Sequence, residues 1–279
     1  MSSGAEAGVK AKPQPTMTSI RVAATAVCAA LYAVFSFATA YIESPWGMGQ
    51  FRPAVVIPAV FAVVFGPLPA GLGAAVGTLI CDSIKHGCLY IPSLTAAVPG
   101  NFIGFYFLGY FLKGRFSWRR FIVLSSAMLL FANAIVAVLY LLTKCALGVL
   151  VLTPGQIAVL SVGLTLWWFA TMLPFMLFLT PPLIEAVSKA APSVVPADVR
   201  EASIAGEDKK LFILALVVPG LAFVSLGLLL ALTPLGAIAF PGKLSLGLEP
   251  TKIFLVASGG GLLLLGLLFG AWVRFGAEG

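Results

Sequence analysis

The chain has 279 residues, 60% hydrophobic and only 10% charged, with a formal charge of +7 and a mean hydropathy of +1.06. A soluble domain carries roughly a quarter charged residues, and the basic residues here lie between apolar runs, so a water-soluble enzyme and a nucleic-acid binder are both excluded. Apolar runs of about 20 residues recur along the sequence, continuous where barrel strands would alternate, and predict an all-α, polytopic protein embedded in a lipid bilayer.

Residues 1–16 (MSSGAEAGVKAKPQPT) are polar and lack an apolar core. They are expected to form a disordered cytosolic tail, not a signal peptide. Eight membrane segments follow, at roughly 17–42, 53–66, 68–86, 92–112, 120–143, 157–184, 211–232 and 253–273. The second is short for a full crossing, so it is expected to be tilted or partly inserted. Placing the N-terminus in the cytosol leaves only Arg52, Lys85, Lys144, Lys243 and Lys252 outside, and the other twelve of the 17 Lys and Arg inside. That asymmetry is the one the positive-inside rule predicts.

In chain order, the first outer loop carries Glu43, Trp46 and Arg52, and the next carries Asp82, Lys85, His86 and Tyr90. Asp82 and Lys85, three apart, are expected to pair on the end of the third helix. Asn101 lies inside the fourth segment. In the fifth, Asn133, Tyr140 and Lys144 share one helical face, and in the sixth so do Ser161, Thr165, Trp168 and Met172. An amide in hydrocarbon marks a ligand site or a helix-to-helix hydrogen bond. Several such groups at one depth suit an amphipathic or flat heterocyclic ligand. The competing reading for Trp46, Tyr90 and Tyr140 is an interfacial aromatic belt.

Cys81, Asp82, His86 and Cys88 match no common zinc spacing, and no metal or cofactor is expected. Cys88 and Cys145 on one face leave room for a disulfide in an oxidising exterior. No phosphate-binding G-x-x-x-x-G-K-[ST] occurs, nor H-E-x-x-H, nor G-x-S-x-G, so no catalytic residues are assigned. Residues 188–210, with Pro192 and Pro196 and mixed charges, read as a cytosolic linker between a six-segment body (17–187) and a two-segment extension (211–279). The extension's SGGGLLLLGLLFG favours close helix packing.

The alanine-rich first helix (Arg21-VAATAVCAALYA), the outer loop closing with Arg52-Pro53 and the FGPLPAGLGAAVGTLICD hairpin resemble the S component, the substrate-binding membrane subunit, of energy-coupling-factor (ECF) transporters, over roughly residues 17–187. The resemblance implies a six-helix bundle that captures a vitamin or related micronutrient at the outer face. An integral membrane T component and two cytosolic ATPases would drive its release inward. It also implies that Ala26, Ala29, Ala30 and Ala33 form the small-residue surface against the T component, and that the first loop closes over the ligand. The substrate-contacting set expected on these grounds is Glu43, Trp46, Arg52, Asp82, His86, Asn101, Asn133, Tyr140, Lys144, Thr165 and Trp168. The last two segments depart from the six-helix pattern. The alternatives are a membrane enzyme acting on a lipid or isoprenoid, and a stand-alone solute facilitator.

Overall fold

The computed structural model describes residues 17–204, 206–240 and 242–275. Helix α1 (Met17–Ala38) leads through a loop at 39–52 and a 3-10 turn (Pro53–Val55) into α2 (Val56–Val64). Then come α3 (Pro67–His86), a π turn (Ser93–Ala97) running into α4 (Val98–Leu112), α5 (Trp118–Ala146) and α6 (Pro154–Ala190). After the one-turn α7 (Ala197–Arg200) follow α8 (Gly206–Leu232), the short α9 (Leu235–Ala239) and α10 (Leu248–Phe275). Among the described residues six helices are long and apolar enough to cross a membrane: α1, α3, α5, α6, α8 and α10. The other two expected segments are there as helix, one short (53–64) and one interrupted by the π turn. Leu228, Leu229, Leu264, Leu267 and Leu268 stand exposed on α8 and α10, faces that only a lipid environment tolerates at this density.

The body forms around α2. Seven of its nine residues are buried, and it packs against α1, α3, α4 and α6. Gly66 ends it at φ +84, a conformation that glycine enters without a Cβ clash. Pro67 then opens α3 at a position where its missing N–H costs nothing. The 53–86 hairpin is therefore as tight as its Gly-Pro turn suggests. The α1–α3 contact is closer still: a Cβ on Gly77 would lie 2.7 Å from the Ala29 carbonyl oxygen, and one on Gly73 would lie 2.6 Å from the Cys28 Sγ. Ala29 and Ala33 are consequently buried within the body, while Ala26 and Ala30 stay exposed on the far face of α1.

The 188–210 region is bound to the body. Val195 and Val199 are buried, the Phe116 N–H donates to Asp198 (3.0 Å), and the Trp118 indole donates to the Ala202 carbonyl (3.2 Å). Helices α8 and α10 pack backbone to backbone at Gly220 and Gly259, where a Cβ on either would come within 3 Å of the other's carbonyl oxygen. Their aromatic residues dock on α6 through Phe169–Phe223, Phe178–Phe212 and Trp167–Phe254.

Gly77→Val tests the α1–α3 contact. Overpacking of this kind costs about 1–3 kcal/mol, so the variant should show a lower Tm in detergent, whereas Gly87→Ala, with open space around it, bears only on its own positive φ.

Candidate functional site

The loop at 39–52 is built as a small hairpin. The Phe51 N–H donates to the Ile42 carbonyl (2.8 Å), the Ser44 N–H donates to Gly49 (3.1 Å), and Glu43 and Gln50 form an antiparallel bridge. Gly47 and Gly49 turn it with φ +64 and +75, where a side chain is strained. A Cβ on Gly49 would also come 2.9 Å from the Trp168 ring, so the loop lies directly on that indole. The Trp168 N–H in turn donates to the Gln50 carbonyl (3.1 Å).

Two ion pairs hold the loop to α3. Arg52, buried, donates to Asp82, Thr78 and Gln50. Lys85 donates to Glu43 at 2.9 Å and lies 5.5 Å from the Tyr41 ring. The expected Asp82–Lys85 pair does not form, because each residue finds a partner on the loop in place of its neighbour along the helix. Burial works against the Arg52 charge, and Asp82 beside it leads the surrounding groups that together offset this. The guanidinium's pKa ends above its ordinary value, and it stays charged at any pH the protein meets.

Beneath the loop is a cavity of about 120 Å³ that opens to the surface through a wider mouth. Glu43, Gly49, Gln50 and Arg52 come to it from the loop, Asp82, Lys85 and His86 from α3, and Tyr90 and Ser93 from the connection to α4. Asn101 comes from α4, Asn133, Tyr140 and Lys144 from α5, and Trp168 and Met172 from α6. The π turn buries the Ser93 hydroxyl without a hydrogen-bond partner. The Asn133 amide donates only to the Met172 sulfur (3.6 Å), a weak acceptor. Among the described residues, no hydrogen bond holds the Asn101 amide. Three polar groups thus face the cavity with bonding capacity to spare.

One wall is aromatic. The His86 and Tyr90 rings stack at 3.7 Å and 4°, and His86 Nδ1 lies 2.7 Å from the Asp82 carbonyl, which places the ring's proton on that nitrogen. Burial first, and the Tyr140 hydroxyl second, push the Tyr90 phenol up, leaving it a neutral hydrogen-bonding group. Lys144 lies 5.1 Å from the Tyr140 ring. Flat rings, amides and one cation suit a planar polar ligand. Nothing in the set supplies a nucleophile with its base.

A family profile described as ECF-type riboflavin transporter, S component, matches residues 16–173. The chain belongs to that family. Curated proteins and solved structures gave no match.

The matched span of this S component covers every residue that lines the cavity and stops within α6, so α8 to α10 lie beyond it. Nine of the eleven residues expected at the site line the cavity: Glu43, Arg52, Asp82, His86, Asn101, Asn133, Tyr140, Lys144 and Trp168. Trp46 and Thr165 do not. Trp46 turns away from it, and its indole donates to Thr251 of α10 at 2.9 Å. Thr165 bonds back to the Ser161 carbonyl at 2.7 Å. Gln50, Met48 and Ser93 were missed. Among them only Gln50 carried a signal, as a polar residue two before Arg52. All four cysteines are free thiols, Cys88 exposed and Cys145 partly so.

Removing either member of the Arg52–Asp82 pair strands a buried charge, which costs about 3–5 kcal/mol. Asp82→Ala and Arg52→Ala should each lower the Tm steeply. The double variant Arg52→Met/Asp82→Leu should recover a large part of the loss in the same thermal assay.

Proposed function

We propose that this S component binds riboflavin, or a micronutrient with a similar flat heterocycle, in the cavity beneath the 39–52 loop. The observation that carries the reading is the convergence of nine expected residues from a loop and four helices on one hollow, inside the span matched by the riboflavin-transporter family. The His86–Tyr90 stack and the Trp168 indole give the ring system flat apolar surfaces. Asn101, Asn133 and Ser93 have hydrogen-bonding capacity to offer a planar polar edge. Lys144 is the group suited to a ligand's anionic end. Arg52 and Asp82 satisfy each other, so in this reading they hold the loop more than they touch the solute.

The basic residues argue for orientation. Lys113, Arg115, Arg119 and Arg120 lie at the end of the bundle opposite the cavity, with the 188–210 segment. The positive-inside rule then puts that end and the N-terminus in the cytosol, and the cavity opens to the exterior. Energy for release comes from a T component and two cytosolic ATPases, since the chain carries no phosphate-binding loop of its own. On α1, Ala26 and Ala30, four apart and exposed, are the surface proposed for the T component. Ala29 and Ala33 are occupied by α3. Small side chains allow the helices of two subunits to pack closely.

The test is direct. Gently purified protein should release a small molecule detectable by native mass spectrometry, and apoprotein should quench riboflavin fluorescence on titration. Asn133→Ala, Lys144→Ala and Trp168→Ala should each weaken binding about tenfold or more, roughly 1.4 kcal/mol apiece. Unchanged affinity in all three would refute the site, and riboflavin ignored in favour of thiamine or a pyrimidine would redirect the ligand. Ala30→Leu should leave riboflavin titration unchanged and reduce co-purification with a co-expressed T component.

A further inference from the structure

We propose that Trp46 is a positioning residue that latches the loop over the cavity to the C-terminal helix pair, so that α8 and α10 govern access to the site. The inference rests on reading the cavity as the substrate site. It concerns a part of the chain, beyond residue 173, that the family match does not reach.

The loop has two faces with opposite duties. Glu43, Gly49, Gln50 and Arg52 face the cavity, and Glu43 and Arg52 tie that face to α3 by charge. Trp46 leaves the other face, half-buried between α6 and α10. Its indole N–H donates to the Thr251 hydroxyl at 2.9 Å, and that buried hydroxyl donates onward to the Gly247 carbonyl at 2.6 Å. The Trp46 ring meets Phe254 edge-on at 5.9 Å. Gly163 and Gly247 flank it so closely that a Cβ on either would lie 3.3 Å from the indole. Phe254 also contacts Trp167 of α6 and Phe223 of α8, so the latch is rooted in both added helices and in the body.

The slot is built to let go. Beside the ring lies an apolar hollow of about 720 Å³, mouth included, lined by Val159, Val162, Leu226, Leu230, Phe240 and Leu255. Trp46 is only half-buried there, so part of its ring makes no contact with the protein and adds no dispersion energy to the latch. One hydrogen bond and a partial ring contact add a hold on the loop tip that is weak enough to release by itself. Cutting the Trp46 contact with α8 and α10 in place would free the tip of the loop around Gly47, while Glu43 and Arg52 stay paired to α3.

Full-length protein carrying Cys88→Ser, Cys145→Ser and Ser93→Cys gives a thiol under the loop whose reaction with a small polar methanethiosulfonate reports opening and needs no ligand. Adding Trp46→Ala should speed labelling about tenfold. Thr251→Val, which keeps the side chain's shape and removes its hydroxyl, should speed it about threefold, and Thr251→Ser should leave it unchanged. In parallel, riboflavin should dissociate faster from Trp46→Ala with little change in total binding capacity. Labelling of both Trp46→Ala and Thr251→Val at the rate of the parent carrying Trp46 and Thr251 would overturn the latch, as would equal acceleration by Thr251→Ser and Thr251→Val. Faster labelling in protein that never binds riboflavin would uphold the latch and count against the ligand alone.

Discussion

The buried pair between Arg52 and Asp82 is the contact on which the site depends. It closes the 39–52 hairpin onto α3 just before α2 begins, and Thr78 and Gln50 each take a further donor of the guanidinium. Taking two charges out of water is expensive, and their attraction returns that cost only when the geometry is good and the other hydrogen bonds are made. Here Thr78 and Gln50 add two such bonds, and the pair joins the loop to α3 across thirty residues of sequence. Every cavity residue of the loop, from Glu43 to Gln50, takes its place from that anchor.

The rest of the body supports the same end of the molecule. Small residues bring α1 and α3 within backbone contact, which holds Asp82 and Lys85 steady while the α1 surface outside stays shallow. The π turn at Ser93–Ala97 widens the helix entering the bundle and brings a hydroxyl to the cavity wall without a partner. An unpaired group is costly in a low-dielectric interior, and here the Ser93 hydroxyl shares its hollow with the Asn101 and Asn133 amides, both with bonding capacity to spare. The apolar hollow beside Trp46 has no such groups and is a different kind of space.

Much of this was legible in the sequence because helical periodicity is local. Asn133, Tyr140 and Lys144 share a face at any reasonable packing, and they do line one cavity. The Gly66-Pro67 turn and the glycine-rich helix after it were equally readable. What failed was whatever depended on the loop's path. Gly47 and Gly49 turn the chain twice, which sends Trp46 away from its neighbours and brings Gln50 and Met48 inward. Trp46 also answers to Thr251, some two hundred residues later, a partner no window could suggest. Asp82 and Lys85 obeyed the same rule: a partner distant in sequence displaced the neighbour three residues along the helix. Thr165 shows a different limit. A face on a 37-residue helix runs past the height of any one cavity, so a shared direction does not guarantee a shared room.

The brevity of the segment Pro53–Val64 has a consequence for cargo. Its twelve residues of 3-10 and α geometry rise about 19 Å, against some 30 Å of hydrocarbon. This strut packs among α1, α3, α4 and α6, and the cavity lies at its Arg52 end, beneath the hairpin. Cargo size in such a design is set less by the walls than by where the central strut ends, and one further helical turn there would turn a carrier into a solid post.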